Sequence, residues 1–432
     1  MQPDDSAVAS RPTLVRAIGR WALTAAVING VIGSGIFGLP STVADLAGSW
    51  GPAAVLAAGA GIFLVVLSFA EVASRFEQGG GPYLYTREAF GPAAGFHIGW
   101  LHIWTRLLSA AAVLNVFVSY LAVLLPVVAT PLGRAVTMTA GVAVVTVLNV
   151  RGVRQATWTV NLFTVAKLLP LVLLVVVGLA FVHPDVLAAR AVPEPRWTDA
   201  VLVLVFAYGG FESSVIAAGE TRDPRRDMAF ALITAMGIIT IIYCLVQLVV
   251  TVVLPDPGHT TTPVADALGQ VLGGAGDKLG AAAVVVSVYG WLTGFALMTP
   301  RIMHAMAERR ELPAAFGRLH AGGRTPHVAI IANSAVALAL GLVGSFAQTA
   351  TLSAIVRLAI FAATCGALIA LRRRAGTPAA GFVLPWGVPI AVAGLGFCLW
   401  MLATRSFAQA WMLFALIASG ALIRAMVRPR TS

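Results

Sequence analysis

The sequence predicts an all-α polytopic membrane protein of about twelve transmembrane helices. Three observations carry this. Of 432 residues, 59% are hydrophobic and only 11% are charged, against about 25% charged in a soluble globular protein. Apolar runs of about twenty residues or more recur along the whole chain, each long enough to cross a bilayer, and none alternates as a barrel strand does. The formal net charge of +11 is distributed by topology. With the N-terminus inside, most of the 29 Lys and Arg residues fall in cytoplasmic connections, as the positive-inside rule requires. Both termini are then cytoplasmic in a cell (inner) membrane. The surplus suits anionic lipid headgroups and needs no nucleic acid.

The runs lie near 21–48, 52–76, 95–126, 131–150, 156–182, 198–220, 228–254, 278–307, 326–345, 349–371, 385–404 and 407–427. A polar cytoplasmic tail, 1–19, precedes them. The first run is too long for a signal h-region, and Asp4 and Asp5 sit in the leader, so no cleavage is expected. Gly51-Pro52 opens the second span. Between spans two and three, the glycines at 79–81 and Pro82 mark a turn, and Tyr83, Tyr85 and Phe90 read as a short interfacial helix. Arg151 and Arg154 mark a cytoplasmic turn after span four. Segment 255–277, rich in Pro, Gly and Thr, reads as an external loop with a short lid helix, and 301–326 as a basic cytoplasmic connection. Arg372, Arg373 and Arg374 close span ten, ahead of two C-terminal helices over 385–427.

Two spans carry breaks. Ile32-Gly33-Ser34-Gly35-Ile36-Phe37-Gly38 interrupts the first with three glycines in six residues, and glycine is a poor helix former. In hydrocarbon, released backbone groups survive only where protein buries them or where they line a polar cavity. The run therefore reads as two half-helices meeting at a site. The N–H groups of Ser34, Gly35 and Ile36 open the second half-helix and suit an anion. The carbonyls of Val31, Ile32 and Gly33 close the first and suit a cation or ammonium. An amino acid carries both groups on one carbon. The same letters match a dinucleotide-binding glycine pattern, but the strand and soluble βαβ unit that motif needs are missing; a glycine face for helix packing is the plainer alternative. Span six repeats the device at Phe206-Ala207-Tyr208-Gly209-Gly210-Phe211-Glu212. A broken helix opening each of two five-helix sets, 20–182 and 198–374, points to inverted repeats around a midplane site.

Four motifs make the resemblance specific: IGSGIF at 32–37, GGPYLY at 80–85, FAYGGFES to GETRDPRRD at 206–227, and RIMHAMAERRELP at 301–313. In this set and order the chain resembles the amino acid–polyamine–organocation (APC) superfamily of secondary transporters. The resemblance implies a leucine-transporter-type fold, a 5+5 inverted repeat plus two C-terminal helices, working by alternating access. It implies that Ser34, Gly35 and Ile36 hold a substrate carboxylate and that carbonyls of Val31, Phe206 and Gly209 hold its amine. It also places Phe206 where relatives carry an aromatic that closes over the substrate.

Buried charges complete the reading. Lys167 lies about eleven residues into span five, roughly 16 Å along a helix and too deep to snorkel easily. It resembles a built-in cation where sodium sits in sodium-coupled relatives. Glu212, about fourteen residues and roughly 21 Å into span six, is a candidate proton carrier or else a structural acceptor. Glu71 reads as structural. Arg106 and Arg357 are buried with open roles, pairing with Glu212 or Glu71 or meeting a substrate anion. Cys244, Cys365 and Cys398 form no metal or disulfide pattern, and neither a metal nor another cofactor is expected. The expected function is sodium-independent secondary transport of an amino acid, by proton symport or exchange. A polyamine or organic amine permease is the nearest alternative, and a channel is a distant one. Enzyme motifs such as H-E-x-x-H and G-x-S-x-G are absent, as is the P-loop. The oligomeric state is left open.

Overall fold

The computed structural model describes residues 19–76, 80–152, 157–215, 221, 223–320 and 322–427. The tail, Gly79, Arg154, Glu220 and Arg222, all singled out above, lie outside the described residues. Those described are helical with short connections and form no sheet. Seven helical stretches are long and apolar enough by themselves to cross a membrane. Three shorter apolar helices, Ala166–Phe181, His327–Val343 and Gly387–Ala403, and the interrupted first and sixth spans complete the expected set.

The first span is two helices, α1 (Arg20–Val31) and α2 (Ser34–Ala47). Each is about 18–21 Å long at 1.5 Å per residue, so each covers little more than half of a ~30 Å hydrocarbon core. Span two is α3 (Gly51–Ala73), and the interfacial helix is α4 (Gly81–Phe90). Next come α5 (Pro92–Leu124), α6 (Pro131–Val150) and α7 (Thr157–Gly178). A short α8 (Pro184–Ala189), not expected from the sequence, lies in the following connection. Span six is again split, into α9 (Trp197–Ala207) and α10 (Phe211–Ser214). The remainder is α11 (Pro224–Val253), α12 (Pro263–Leu272), α13 (Gly276–Glu308), α14 (His327–Val343), α15 (Phe346–Arg373), α16 (Gly387–Ala403) and α17 (Phe407–Val427). The expected lid helix is α12.

Local chemistry sets many of these starts. Prolines open α3, α4, α5, α6, α11 and α12 in their first turn, where the missing N–H costs nothing. Thr130 caps α6 through Gly133 N–H (3.0 Å), and Ser345 with Gln348 forms a reciprocal capping box on α15.

The two ends of the bundle are chemically distinct. At the basic end, Glu71 accepts from Arg75 (2.8 Å), Arg372 (2.8 Å) and the Leu384 N–H (2.9 Å), joining α3 to the end of α15. Glu71 is thus a structural clamp. Beside it Arg87 pairs with Glu311 (3.2 Å), and Arg87 and Arg309 both donate to Tyr83 Oη. At the opposite end Arg196 pairs with Asp45 (3.0 Å), and Arg190 donates to the carbonyls of Leu254 and Pro255.

The long helix α5 lies at the centre, against α13, α14, α15 and α4. The breaks of spans one and six meet there. A Cβ on Gly35 would come 2.6 Å from Ala207 Cα, so only glycine lets α2 lie this close to α9. Gly210 adopts φ +121°, and a Cβ there would come 2.4 Å from the Gly30 carbonyl. Left-handed backbone and close approach both demand glycine at that point.

Candidate functional site

The broken helices expose the backbone groups expected of them. α1 ends at Val31; the Ile32 N–H closes its last turn on Ile28 (2.9 Å), Gly33 is extended, and α2 starts at Ser34 without a side-chain cap. The first N–H groups of α2 therefore have no intrahelical partner. In span six the chain turns through Tyr208, Gly209 and Gly210.

These turns enclose a cavity of about 20 Å³, whose walls include Val31, Gly33, Ser34, Gly35, Phe206 and Gly209. The structure thus brings together most of the residues expected to bind substrate. Ile32 and Ile36 do not line it; both are buried in the surrounding apolar core. Phe206 is buried rather than lipid-facing, 6.2 Å and edge-on to Phe346. The volume suits about one water, so the site is collapsed. Two larger cavities adjoin it through shared walls. One, of about 280 Å³, is lined by Asn29, Lys167, Arg106 and Trp291; the other, of about 330 Å³, reaches Tyr83, Arg301 and Arg309 at the basic end. Both are near the lower limit for a ligand pocket. The opposite end is clasped: Tyr120 Oη donates to the Phe37 carbonyl (2.6 Å) and accepts from the Val264 N–H (3.2 Å), tying α5 to α2 and to the lid α12.

The charged residues fall into place around the cavity. Lys167 is 4% exposed, and its Nζ donates to the Asn29 carbonyl (2.6 Å) and Asn29 Oδ1 (2.8 Å) on the last turns of α1. The ammonium therefore braces the first break from α7. Glu212 and Arg357 form a fully buried ion pair, Oε1 to Nε 3.2 Å, and Glu212 Oε2 accepts from the Gly210 N–H (2.8 Å). Of the partners open to Arg357, Glu212 is the one it takes. Arg357 also reaches the break itself: it donates to the Phe206 carbonyl (3.1 Å) and Ser109 Oγ (3.4 Å). Its guanidinium fills the space above Gly209, where a Cβ would come 1.3 Å from Nη1.

Several contributors are not visible in the sequence. Tyr243 on α11 donates to the carbonyls of Val31 (3.3 Å) and Ala207 (3.1 Å), serving both breaks with one hydroxyl. Asn29, Ser109 and Trp291 also belong to the site. A tyrosine inside an apolar span is the one available signal, and it does not say which way the ring faces. Among the described residues no cluster of His, Cys, Asp or Glu could hold a metal.

Comparison with known proteins agrees with this architecture. The profile of the "Amino acid permease" family matches residues 18–423. The chain is 27% identical to the serine/threonine exchanger SteT of Bacillus subtilis (strain 168) over 403 residues, 89% of this chain and 91% of that one. It is 27% identical to the same organism's methylthioribose transporter over 444 residues, 97% and 94% of the two chains. With its branched-chain amino acid permease BcaP it shares 27% over 450 residues, 95% and 94%. Two broken helices facing one polar cavity, within a match that spans nearly the whole chain, place this multi-pass membrane protein in the amino acid permease family of the APC superfamily.

Proposed function

We propose that the chain carries an amino acid across the cytoplasmic membrane by alternating access, without sodium, with both termini in the cytoplasm. One observation carries the reading. The breaks of spans one and six close on a cavity that adjoins, through Arg106, a larger one reaching the basic end, while Tyr120 clasps the other end. An inward-facing carrier at rest has this form, whereas a channel has a continuous path. Residues 20–182 and 198–374 serve as the two inverted repeats that exchange access, and 385–427 stay outside the cycle. The substrate carboxylate meets the N–H groups of Ser34, Gly35 and Ile36, and Phe206 closes over it.

Lys167 supports sodium independence. Its Nζ already occupies the acceptors of Asn29, so the first break has a built-in donor where a sodium ion would need those oxygens. Glu212 supports proton coupling through Arg357: protonation of Glu212 removes the partner that holds the guanidinium on the Phe206 carbonyl. That frees an acceptor for the substrate amine. The organic-amine alternative is weaker, because no carboxylate lines the three cavities among the described residues. The relatives' names, serine/threonine exchange and branched-chain amino acid transport among them, favour an amino acid.

Uptake into proteoliposomes, with sodium replaced by choline and with or without an inward proton gradient, tests the coupling. The expected result is uptake unchanged by choline and raised by the gradient, with the gradient effect lost in Glu212→Gln while exchange persists. Uptake that requires sodium would refute the role given to Lys167.

A further inference from the structure

Among the described residues, Arg106, half-buried, is the cation of the site with no counter-ion in contact. Arg357 is paired with Glu212, and Lys167 is held by Asn29. Arg106, midway along α5, instead lies over the ring of Trp291 (4.7 Å) and near that of Phe295 (6.0 Å). Among the described residues it has no carboxylate within ion-pair distance and no hydrogen-bond acceptor. It lines all three cavities. An aromatic face satisfies one side of a guanidinium and leaves its planar fork of N–H donors free for a bidentate carboxylate.

The surroundings also await a polar ligand. His102, one turn before Arg106 on α5 and 4% exposed, has no partner on either ring nitrogen. Ser213 Oγ and Ser287 Oγ are likewise buried and unpartnered. His102 and Ser213 face the cavity of about 330 Å³, and Ser213 and Ser287 that of about 280 Å³, each beside Arg106. Buried polar atoms without partners are uncommon and mark a missing ligand or water. Since no Asp or Glu among the described residues lines these cavities, the space is a receptor for negative charge.

We propose that the preferred substrate is an acidic amino acid, whose side-chain carboxylate is bound by Arg106 with His102 and Ser213 at its flank. This rests on the amino acid reading given above. The α-carboxylate takes the N-terminus of α2 and the second carboxylate takes Arg106, so a substrate of net charge −1 gives the guanidinium the contact ion pair that the more distant Glu212 does not. A neutral amino acid leaves the guanidinium fork without that charged acceptor.

The test pairs each acid with its amide. Purified full-length protein is titrated with L-glutamate, L-glutamine, L-aspartate, L-asparagine and L-serine, and binding is read from the thermal shift as a function of concentration. At least one acid is expected to bind about tenfold or more tightly than its amide, the factor for one hydrogen bond to a charged group. Arg106→Gln should bring that ratio to within about twofold, and Arg106→Lys should retain part of it. Amides or serine binding as tightly as the acids in the wild type would overturn the proposal and leave amino acid transport standing. An acid preference that survives Arg106→Gln would overturn the role of Arg106. No shift with any of the five would overturn the acidic-substrate proposal, and the remaining amino acids, titrated in the same way, would then decide whether the amino acid reading falls with it. The wild-type ratio decides the substrate class even where Arg106→Gln does not fold.

Discussion

A buried carboxylate and a buried guanidinium 3.2 Å apart stand or fall together. Removing one partner of such a pair leaves an uncompensated charge in low dielectric and costs about 3–5 kcal/mol. Glu212→Gln should therefore lower thermal stability markedly, whereas Glu212→Gln combined with Arg357→Leu should recover much of the loss. Differential scanning fluorimetry of the two variants checks this, and equal stability of both would mean the pair is not formed. Glu71 makes the contrasting case. It faces two arginines and a backbone N–H at the basic end, so Glu71→Gln should reduce stability with no change in the pH response of uptake. The sequence already singled out Lys167 and Glu212 as candidates and Arg106 and Arg357 as buried charges with open roles, because a charge inside a span is costly. It did not say who pairs with whom. Glu212 and Arg357 lie on different helices, and the rotation of each helix, set by packing over its whole length, decides the partner.

At the scale of elements, the breaks were legible because glycine clusters within apolar runs have few explanations. Less legible was how the two breaks use each other. Gly35 packs against the backbone of Ala207 and also lines the cavity, so helix packing and a place at the break are compatible for this glycine. Gly35→Leu should abolish transport by forcing α2 away from α9, and Gly35→Ala should impair it in the same direction. Uptake measurements on both, with surface expression alongside, check the order. Lys167 braces α1 from α7 through two charge-assisted hydrogen bonds. Each such bond contributes about 1.5–3 kcal/mol, so Lys167→Ala should reduce uptake by about tenfold or more. Tyr243 went unnoticed, and Asn29, inside the glycine-rich stretch of span one, was given no role; only the third dimension brings the Tyr243 hydroxyl to both breaks.

At the scale of the whole molecule, hydropathy gave the spans and the arginine distribution an expected orientation, since both are read along one dimension. The state in which the chain rests is a property of contacts between distant segments, such as Tyr120 with Phe37 and Val264. Tyr120→Phe should loosen that clasp and shift the population toward the outward-facing form. A single cysteine introduced at Phe346, which packs against Gly38 and Phe206, should then react faster with an impermeant thiol reagent applied from outside. The central claim is that an amino acid is carried at the paired breaks. Counterflow tests it most directly: proteoliposomes in sodium-free buffer, loaded with one unlabelled amino acid at a time, are given the same amino acid in labelled form outside. The account predicts transient accumulation of label with at least one amino acid in the wild type and none with Gly35→Leu. Absence of counterflow across the full amino acid panel, or equal counterflow in Gly35→Leu, would contradict it.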